Sequence, residues 1–350
     1  MKKTLSFLLI SVKWLLLIAV AVEVFCFLLI TASNYWIYGK LWEGSRMVYD
    51  PYALFLDKKG PRPTANNPAN PGGPGQWTVW MFGGSTMRSS TETDDTTIPS
   101  YVADLLNRPG RPQPCTVMNY GESSFNSLIE AKYLQKLIIE SPKPPDLIVF
   151  YDGANDCAYF TQYRTAYGHY GYRRLQAAIE NYYGSFFGLL KPLKAAVFAS
   201  FTKEFYDKLM EVAVPLGPGD PELRRMVDLT EKRYEHVRKM AGCYGARFLL
   251  IWQPIFYTET GEVAPQIMEK EQNLAIQTER FLAVRHNFAM VYQALLEALK
   301  DKPYFFSFQN VLCSRKEPVY EPDGVHLTAP GNEMVARELA RVLEERWQQK

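Results

Sequence analysis

Short apolar runs alternate with longer amphipathic segments along most of the chain. Four runs are strong and a fifth is weaker: TVWMFGG (78–84), CTVMNYG (115–121), DLIVFYDG (146–153), ARFLLIWQP (246–254) and FAMVY (288–292). Continuous apolar runs that end in Gly, Asn, Asp or Pro are typical of strands buried on both faces of a parallel sheet. Helical patterns separate and follow them: 98–107, 126–140, 221–242, 266–285, 293–300 and 331–347. The alternation predicts an α/β fold, a doubly wound sheet whose ligand site lies beyond the carboxyl ends of its strands.

The N-terminal segment differs because it lacks a polar face. The stretch from Trp14 to Ala32 contains a single charged residue, Glu23, and as a helix it would span roughly 28 Å of bilayer. Lysines precede it and aromatic residues follow it, which predicts an N-terminus in the cytoplasm and the remaining chain outside. We therefore predict a signal anchor over residues 1–33, with cleavage after Ala32 as the alternative. A charge in mid-span is costly, so Glu23 is expected to be protonated or to pair with another helix in the membrane.

Two further segments interrupt the α/β pattern. Residues 60–76 hold five prolines and four glycines, so they are unsuited to helix or strand. We predict that residues 34–76 form a stalk and linker and that residues 77–350 form one domain. Within it, residues 158–219 make an insertion rich in aromatic residues. Its tyrosines suit stacking on sugar rings, its Phe/Leu face suits a membrane surface, and a plain helical cover over the sheet is the third alternative.

The charge balance argues against one class of partner. The net charge is +2, and the sequence has no run of lysines or arginines, which disfavours a nucleic-acid partner bound through a basic field. It also has no P-loop, no Gly-x-Gly-x-x-Gly after a strand and no Cys-x-x-Cys. We expect neither a cofactor nor a metal site.

Polar residues follow the apolar runs where the strands are predicted to end. The clusters are Gly83-Gly84-Ser85-Thr86, Asn119-Tyr120-Gly121-Glu122-Ser123-Ser124, Gly153-Ala154-Asn155-Asp156 and, before the last helix, Asp323-Gly324-Val325-His326. A serine hydroxyl needs a base to remove its proton, and His326 can do this for Ser85 if Asp323 holds its other nitrogen. Backbone N–H groups of Ser85 and of the second cluster, with the amide of Asn155, suit a developing oxyanion.

With these clusters the chain resembles the SGNH hydrolases, also called the GDSL superfamily of esterases and lipases. The ordered blocks Gly-Gly-Ser-Thr, Asn-x-Gly, Gly-x-Asn-Asp and Asp-x-x-His carry the resemblance, which covers roughly residues 77–347. It implies a three-layer α/β/α sandwich with a five-stranded parallel sheet. By block, it also implies a nucleophile at Ser85, an Asp323–His326 pair that completes a triad, and an oxyanion hole that includes Asn155.

The chain departs from the family pattern at two positions. The family's Gly-Asp-Ser reads Gly-Gly-Ser here, a variant that looks like branches acting on acetylated sugars. The family's oxyanion-hole glycine falls on Ser124, whose backbone N–H can serve if its φ is negative. Gly121 is the alternative donor.

These features together predict a membrane-anchored, extracytoplasmic serine esterase. Its substrate would be an O-acylated carbohydrate or another small ester, deacylated through an acyl-enzyme at Ser85. The nearest alternative is an O-acyltransferase that modifies a cell-surface polysaccharide. The alternative from a different class is a non-catalytic polysaccharide-binding or assembly protein of the same fold, although such a protein would need neither Ser85 nor His326.

The family's strand order, 2-1-3-4-5, also bears on the cysteines. In that order Cys115 and Cys243 start strands three places apart, roughly 14 Å, which exceeds the ~7 Å Cα limit for a bridge. Cys157 and Cys313 both fall on the side of the candidate site. We therefore predict a Cys157–Cys313 disulfide, with Cys115 and Cys243 as buried thiols; four independent core cysteines are the alternative.

Overall fold

The structure is a computed structural model of the chain, and it describes residues 2–38, 47–89, 92–111, 113–184, 191–210, 215–274 and 279–347. The strands are β1 (Met47–Asp50), β2 (Leu54–Asp57), β3 (Trp77–Gly83), β4 (Cys115–Asn119), β5 (Leu147–Asp152), β6 (Arg247–Trp252) and β7 (Phe305–Ser307). The helices are α1 (Lys2–Tyr38), α2 (Ser85–Arg88), α3 (Ile98–Leu106), α4 (Ser127–Glu140), α5 (Ala154–Tyr163), α6 (Tyr172–Gly184), α7 (Lys191–Phe198), α8 (Phe201–Met210), α9 (Pro221–Cys243), α10 (Pro265–Leu274), α11 (Glu279–Leu299) and α12 (Ala329–Trp347). The chain divides into two compact units. Unit 1 is Met1–Ser45 with Gly171–Val212, and unit 2 is Arg46–Tyr170 with Ala213–Lys350.

Unit 2 is built on a five-stranded sheet of order β4-β3-β5-β6-β7, in which every neighbouring pair is parallel. Counted along the chain within this sheet, the order is 2-1-3-4-5, as the resemblance implied. Successive strand residues point to opposite faces, so Trp80 and Phe82 enter one apolar layer while Val79 and Met81 enter the other. The first layer also receives α4, α5, α9 and α11, and the second receives α3 and α12. The predicted α/β/α sandwich is therefore confirmed.

The fifth strand lies elsewhere than predicted. Residues 288–292 belong to α11, and the edge strand is β7, only three residues long. Among the described side chains of α11, the buried apolar residues are Phe288, Val291, Tyr292, Leu295 and Leu299. Their spacing of three and four residues is helical, and it continues through the segment predicted as a separate helix over 293–300. The predicted helix over 266–285 corresponds to α10 and the start of α11, with residues 275–278 outside the described residues.

Residues 47–76 are tied to the edge of the sheet. β1 and β2 pair as an antiparallel hairpin, from Met47 opposite Asp57 to Asp50 opposite Leu54. Further along, the Asn67 side chain both donates to the carbonyl of Val117 and accepts from its N–H, each at 2.8 Å. Val117 lies on the edge strand β4, so the proline-rich segment satisfies polar groups that an edge strand leaves open.

Unit 1 contains α1 and the helices α6, α7 and α8. Within α1, Leu9–Ala32 is long and apolar enough to cross a membrane, and a signal sequence would share this length and composition. The aromatic-rich insertion is divided, because residues 158–170 and 213–219 belong to unit 2 and residues 171–212 to unit 1.

Candidate active site

Ser85, His326 and Asp323 are brought together at the carboxyl edge of the sheet. Ser85 is the first residue of α2, directly after β3 and Gly84. His326 lies in the loop before α12, and its Nε2 is 2.7 Å from the Ser85 Oγ. Its Nδ1 is 2.5 Å from Oδ2 of Asp323. The three side chains thus form a continuous chain of hydrogen bonds, the contact that the sequence blocks predicted.

The Asp323 loop holds His326 through the backbone as well as the side chain. Oδ1 of Asp323 accepts the N–H groups of Val325 and His326, both at 2.9 Å, while Oδ2 remains for the imidazole. Gly324 between them has φ = 71°, and a Cβ there would lie 3.2 Å from both Phe256 and Tyr257. Glycine at this position therefore lets the loop turn tightly and bring Asp323 back onto His326.

The surroundings of the pair shift both pKa values. Burial alone would raise the pKa of Asp323, but the hydrogen bonds and charge of His326 and the backbone donors lower it below 3.8. Burial alone would lower the pKa of His326, but the hydrogen bond and charge of Asp323 raise it above 6.5. Asp323 is therefore ionised at neutral pH, and it favours the protonated form of His326.

Ser85, Ser124 and Asn155 carry the candidate donors to an oxyanion. Within the part of the chain that the structure describes, the backbone N–H groups of Ser85 and Ser124 have no partner. Asn155 Nδ2 donates one hydrogen to the carbonyl of Phe125 at 2.6 Å. Its second amide hydrogen is left for another acceptor, because an amide nitrogen carries two. These are the donors that the sequence indicated for an oxyanion.

Ser124 has an unexpected backbone conformation. Its φ is 67°, so the negative φ that was set as the condition for its N–H to serve is not present. This left-handed region favours glycine, and a serine in it is strained. Gly121 suits the role less well, because its N–H already donates to Oδ1 of Asn119 at 2.9 Å. Of the two residues considered from sequence, Ser124 is the one with a free donor.

Gly84 lies where no side chain fits. A Cβ at this position would come within 2.4 Å of Nδ2 of Asn155 and 3.2 Å of the Phe125 carbonyl. The Gly-Gly-Ser variant therefore allows Asn155 to sit directly against the backbone that carries Ser85.

Buried polar contacts that the sequence did not predict support these loops. Asp156 accepts from both the N–H and the hydroxyl of Ser127, at 3.1 and 2.5 Å, which ties α5 to the start of α4. Tyr234 donates to Asp152 at 2.8 Å. Both aspartates thus contact helices that are distant in sequence. Such contacts join residues 29 and 82 positions apart, and no local pattern signals them.

Arg88 also supports the helix that begins at Ser85, and the sequence did not predict this role. It ends α2, three residues after Ser85, and its guanidinium lies 3.1 Å from Asp57 and 3.2 Å from Glu122. Burial raises the pKa of Glu122 to about 7, against the charge of Arg88, which lowers it. Arg62 in turn donates to the carbonyls of Arg88 and Ser89 at the end of α2. The β1–β2 hairpin and the proline-rich segment thus brace the helix that begins at Ser85.

The predicted Cys157–Cys313 disulfide is absent, and both residues are free thiols. Cys157 is fully buried in the layer under α11, whereas the sulfur of Cys313 lies near Asn310 and Gly261. Cys115 is a buried thiol, as predicted, and its pKa is raised to about 12 by burial. Cys243 is exposed, so its predicted burial is wrong: it is the last residue of α9 rather than the start of β6. Among the described residues, no group of three His, Cys, Asp or Glu side chains could hold a metal ion.

Solved structures similar to this chain include esterases and lipases. A psychrotrophic esterase from Pseudoalteromonas sp. is 10% identical, with a TM-score of 0.40, over 78% of this chain and 99% of that one. An acetylxylan esterase from Geobacillus stearothermophilus is 16% identical, with a TM-score of 0.39, over 76% and 93%. A GDSL-like lipase from Bacteroides thetaiotaomicron is 13% identical, with a TM-score of 0.38, over 77% and 88%. No protein-family model and no curated protein matches the chain.

Proposed function

We propose that the protein is a membrane-anchored, extracytoplasmic serine esterase that deacylates an O-acylated carbohydrate or another small ester. The observation that carries the catalytic part is the run of hydrogen bonds from Asp323 through His326 to Ser85, at 2.5 and 2.7 Å. A nucleophile, a base and a group that orients the base are the elements of acyl transfer by a serine hydroxyl. The anchor is supported by the length and composition of α1 and by the lysines on its N-terminal side.

The first half of the reaction forms an acyl-enzyme. Oγ of Ser85 attacks the acyl carbon while Nε2 of His326 takes its proton, and the carbonyl oxygen becomes an oxyanion. The N–H groups of Ser85 and Ser124 and the second amide hydrogen of Asn155 donate to that oxyanion. Collapse of the intermediate expels the sugar alcohol, which takes the proton from His326.

The second half returns the enzyme to its starting state. His326 removes a proton from water, the resulting hydroxide attacks the acyl carbon, and the bond to Ser85 Oγ breaks as Oγ regains its proton. If a sugar hydroxyl took the place of water in this step, the protein would be an O-acyltransferase.

Labelling of the full-length protein with a fluorophosphonate probe tests the proposal. We expect one adduct, on Ser85, and its loss in both Ser85→Ala and His326→Ala. Ser123→Ala is the matched control, since Ser123 precedes Ser124 in the chain and the proposed mechanism gives its hydroxyl no role. A Ser85→Ala protein that keeps full hydrolysis of a small acetyl ester would contradict the mechanism. Product analysis with and without a sugar acceptor then separates hydrolysis from acyl transfer.

A further inference from the structure

Glu23, the charged residue in the apolar part of α1, has partners within unit 1. Its carboxylate accepts from the backbone N–H groups of Phe201 and Thr202, at 2.6 and 3.0 Å, and from the Thr202 hydroxyl at 2.6 Å. Phe201 is the first residue of α8, and the first N–H groups of a helix have no partner inside it. Glu23 therefore caps α8 from a different helix, with its charge at the positive end of the α8 dipole.

The packing around this cap forms a stripe on α1. Glu23, Cys26, Phe27 and Ile30 are three or four residues apart, so they share one face of the helix. Cys26 and Ile30 are only 5% and 6% exposed, and the Phe27 ring is 5.0 Å from the Phe201 ring. Most of the surrounding α1 side chains, by contrast, are exposed. The docking of α8 on α1 thus combines a polar cap with an apolar contact.

The position of Glu23 along α1 indicates how deep in the bilayer α8 begins. A bilayer core takes about 20 residues of a helix, whereas Leu9–Ala32 supplies 24. At 1.5 Å per residue, Glu23 then lies about 7–14 Å inside the bilayer boundary near Ala32. Amphipathic helices at membrane interfaces bury their apolar faces by about 5–10 Å. A helix capped by Glu23 therefore starts at a depth where lipid is its neighbour.

Helices α6 and α7 of unit 1 carry exposed apolar side chains on one face each. On α6, Leu175, Ile179 and Tyr183 recur every fourth residue and are 38%, 56% and 81% exposed. On α7, Leu193 and Val197 have the same spacing and are 65% and 56% exposed. Tyrosine with aliphatic residues at helical spacing is typical of surfaces at a membrane interface.

Three charged residues of α6 and α8 have contacts that suit a membrane interface. Arg174 of α6 pairs with Glu204 of α8 at 2.5 Å. The Lys203 ammonium lies 5.9 Å from the ring centroids of Phe198 and Tyr206. Paired charges and long cationic side chains that reach the headgroups are compatible with an interfacial helix.

We propose that α6, α7 and α8 form an interfacial lipid-binding unit, docked on the membrane helix α1 through Glu23. The lipid leaflet near Ala32 covers the exposed faces of α6 and α7. Lipid is the occupant because the same unit contains the membrane-spanning helix, and α8 lies against its membrane-embedded part. The inference rests on the membrane anchoring proposed above and is independent of the ester chemistry. It also requires that α1 stays attached to the mature protein.

The first experiment maps lipid contacts. The full-length protein is reconstituted in vesicles that contain phosphatidylcholine with a diazirine in its acyl chain, irradiated, and digested for mass spectrometry. We expect adducts on α1, α6 and α7 and none on the peptides of Ile139 and Tyr244, which are exposed apolar residues of unit 2. Adducts on α1 alone would overturn the interfacial unit and leave the anchor intact. The absence of adducts on α1 would overturn the anchor and this inference with it. Equal labelling of the two control peptides would also contradict the inference.

The second experiment tests the Glu23 cap in native membranes. p-Benzoylphenylalanine at position 27 should cross-link to the α8 peptide. Glu23→Leu removes three hydrogen bonds to a charged group and should lower that cross-linking by at least about tenfold. Thr202→Val removes one of them and should have a smaller effect in the same direction, and it provides the test if Glu23→Leu does not accumulate. Thr202→Ser keeps the hydroxyl and should behave like the parent. Unchanged cross-linking in both Glu23→Leu and Thr202→Val would refute the cap.

Discussion

The contact between Asp323 and His326 sets how the site responds to pH. In the proposed mechanism His326 must be neutral to accept the Ser85 proton. Asp323 raises the pKa of His326 above 6.5 even though burial lowers it. We therefore expect kcat/KM to rise with pH through an apparent pKa above 6.5. Asp323→Asn removes the raising charge while burial remains, so the acid limb should move to lower pH. The same change should reduce kcat by about 10⁴-fold, because the imidazole tautomer is no longer fixed. A pH–rate profile of both proteins checks this, and an acid limb that stays in place would contradict it.

The absence of a side chain at Gly84 is a second testable property. Gly84→Ala places a Cβ 2.4 Å from Nδ2 of Asn155, so Asn155 must move away. We expect kcat to fall by about 10²–10³-fold, as in Asn155→Ala, with KM little changed, because the lost donor acts mainly in the transition state. Gly242→Ala is the control, since nothing lies within 4 Å of a Cβ there. Normal turnover in Gly84→Ala beside impaired turnover in Asn155→Ala would show that Gly84 does not position the amide.

The left-handed backbone at Ser124 predicts which replacements the site tolerates. Ser124→Gly keeps the N–H and relieves the strain, so it should keep the parent activity and change stability by less than about 1 kcal/mol. Ser124→Val should lose turnover, because a β-branched residue at φ = 67° forces the backbone to shift. Initial rates and thermal unfolding of the two variants provide the test. Equal activity in both would mean that the Ser124 N–H is not a donor to the oxyanion.

The site residues were predictable from sequence to different degrees. Ser85 and Asn155 directly follow apolar runs, so the sheet edge at which they meet could be deduced before the structure. The contact of His326 with Ser85 followed from chemistry and from the family blocks. The φ of Ser124 and the clash at Gly84 could not be deduced, because both depend on how neighbouring loops pack. Cys157 and Cys313 were predicted to form a disulfide because both fall on the same side of the sheet. Residues on one side of a sheet can nevertheless lie too far apart to pair.

At the scale of elements, the long periodic segments were predictable and the short edge strand was not. The four strong apolar runs became β3, β4, β5 and β6, because burial on both faces requires continuous apolar sequence. β7 has three residues, of which only Phe305 is buried, so it carries almost no pattern. Residues 288–292 were predicted as a strand because the run is short and apolar. Its position within a longer helical repeat was the stronger signal.

Arg88 links the hairpin to the helix that begins at Ser85, and its removal should destabilise unit 2. Arg88→Met leaves Asp57 and Glu122 without their cation in a buried site, which typically costs about 3–5 kcal/mol. We expect the midpoint of thermal unfolding to fall by roughly 10 °C. Arg108→Met is the control, because its ion pair with Asp104 is exposed and should contribute less than about 1 kcal/mol. Equal shifts in the two variants would show that the buried cluster does not stabilise the unit. Arg88→Met/Glu122→Gln should recover part of the loss.

At the scale of the whole molecule, segments that are distant in sequence belong to one structural unit. The aromatic-rich insertion was predicted as one segment of the domain, yet residues 171–212 form a unit with the N-terminal helix. Glu23 and Thr202 are 179 positions apart, so the contact that joins them is invisible to any local pattern. The sequence nevertheless indicated that a charge in mid-span needs a partner. The structure supplies that partner from the same chain.

The charge asymmetry around α1 predicts the side of the membrane on which unit 2 lies. Lys2, Lys3 and Lys13 precede or begin the apolar stretch, and positive charge is retained on the cytoplasmic side. A reporter that is active only outside the cytoplasm should therefore work when it is fused after residue 40. A reporter that is active only in the cytoplasm should fail at the same junction. The control deletes residues 2–33 and should reverse both results, because the fusion then stays in the cytoplasm. Activity of the cytoplasmic reporter in the undeleted fusion would overturn the orientation, and an ester substrate outside the cytoplasm would then be out of reach of Ser85.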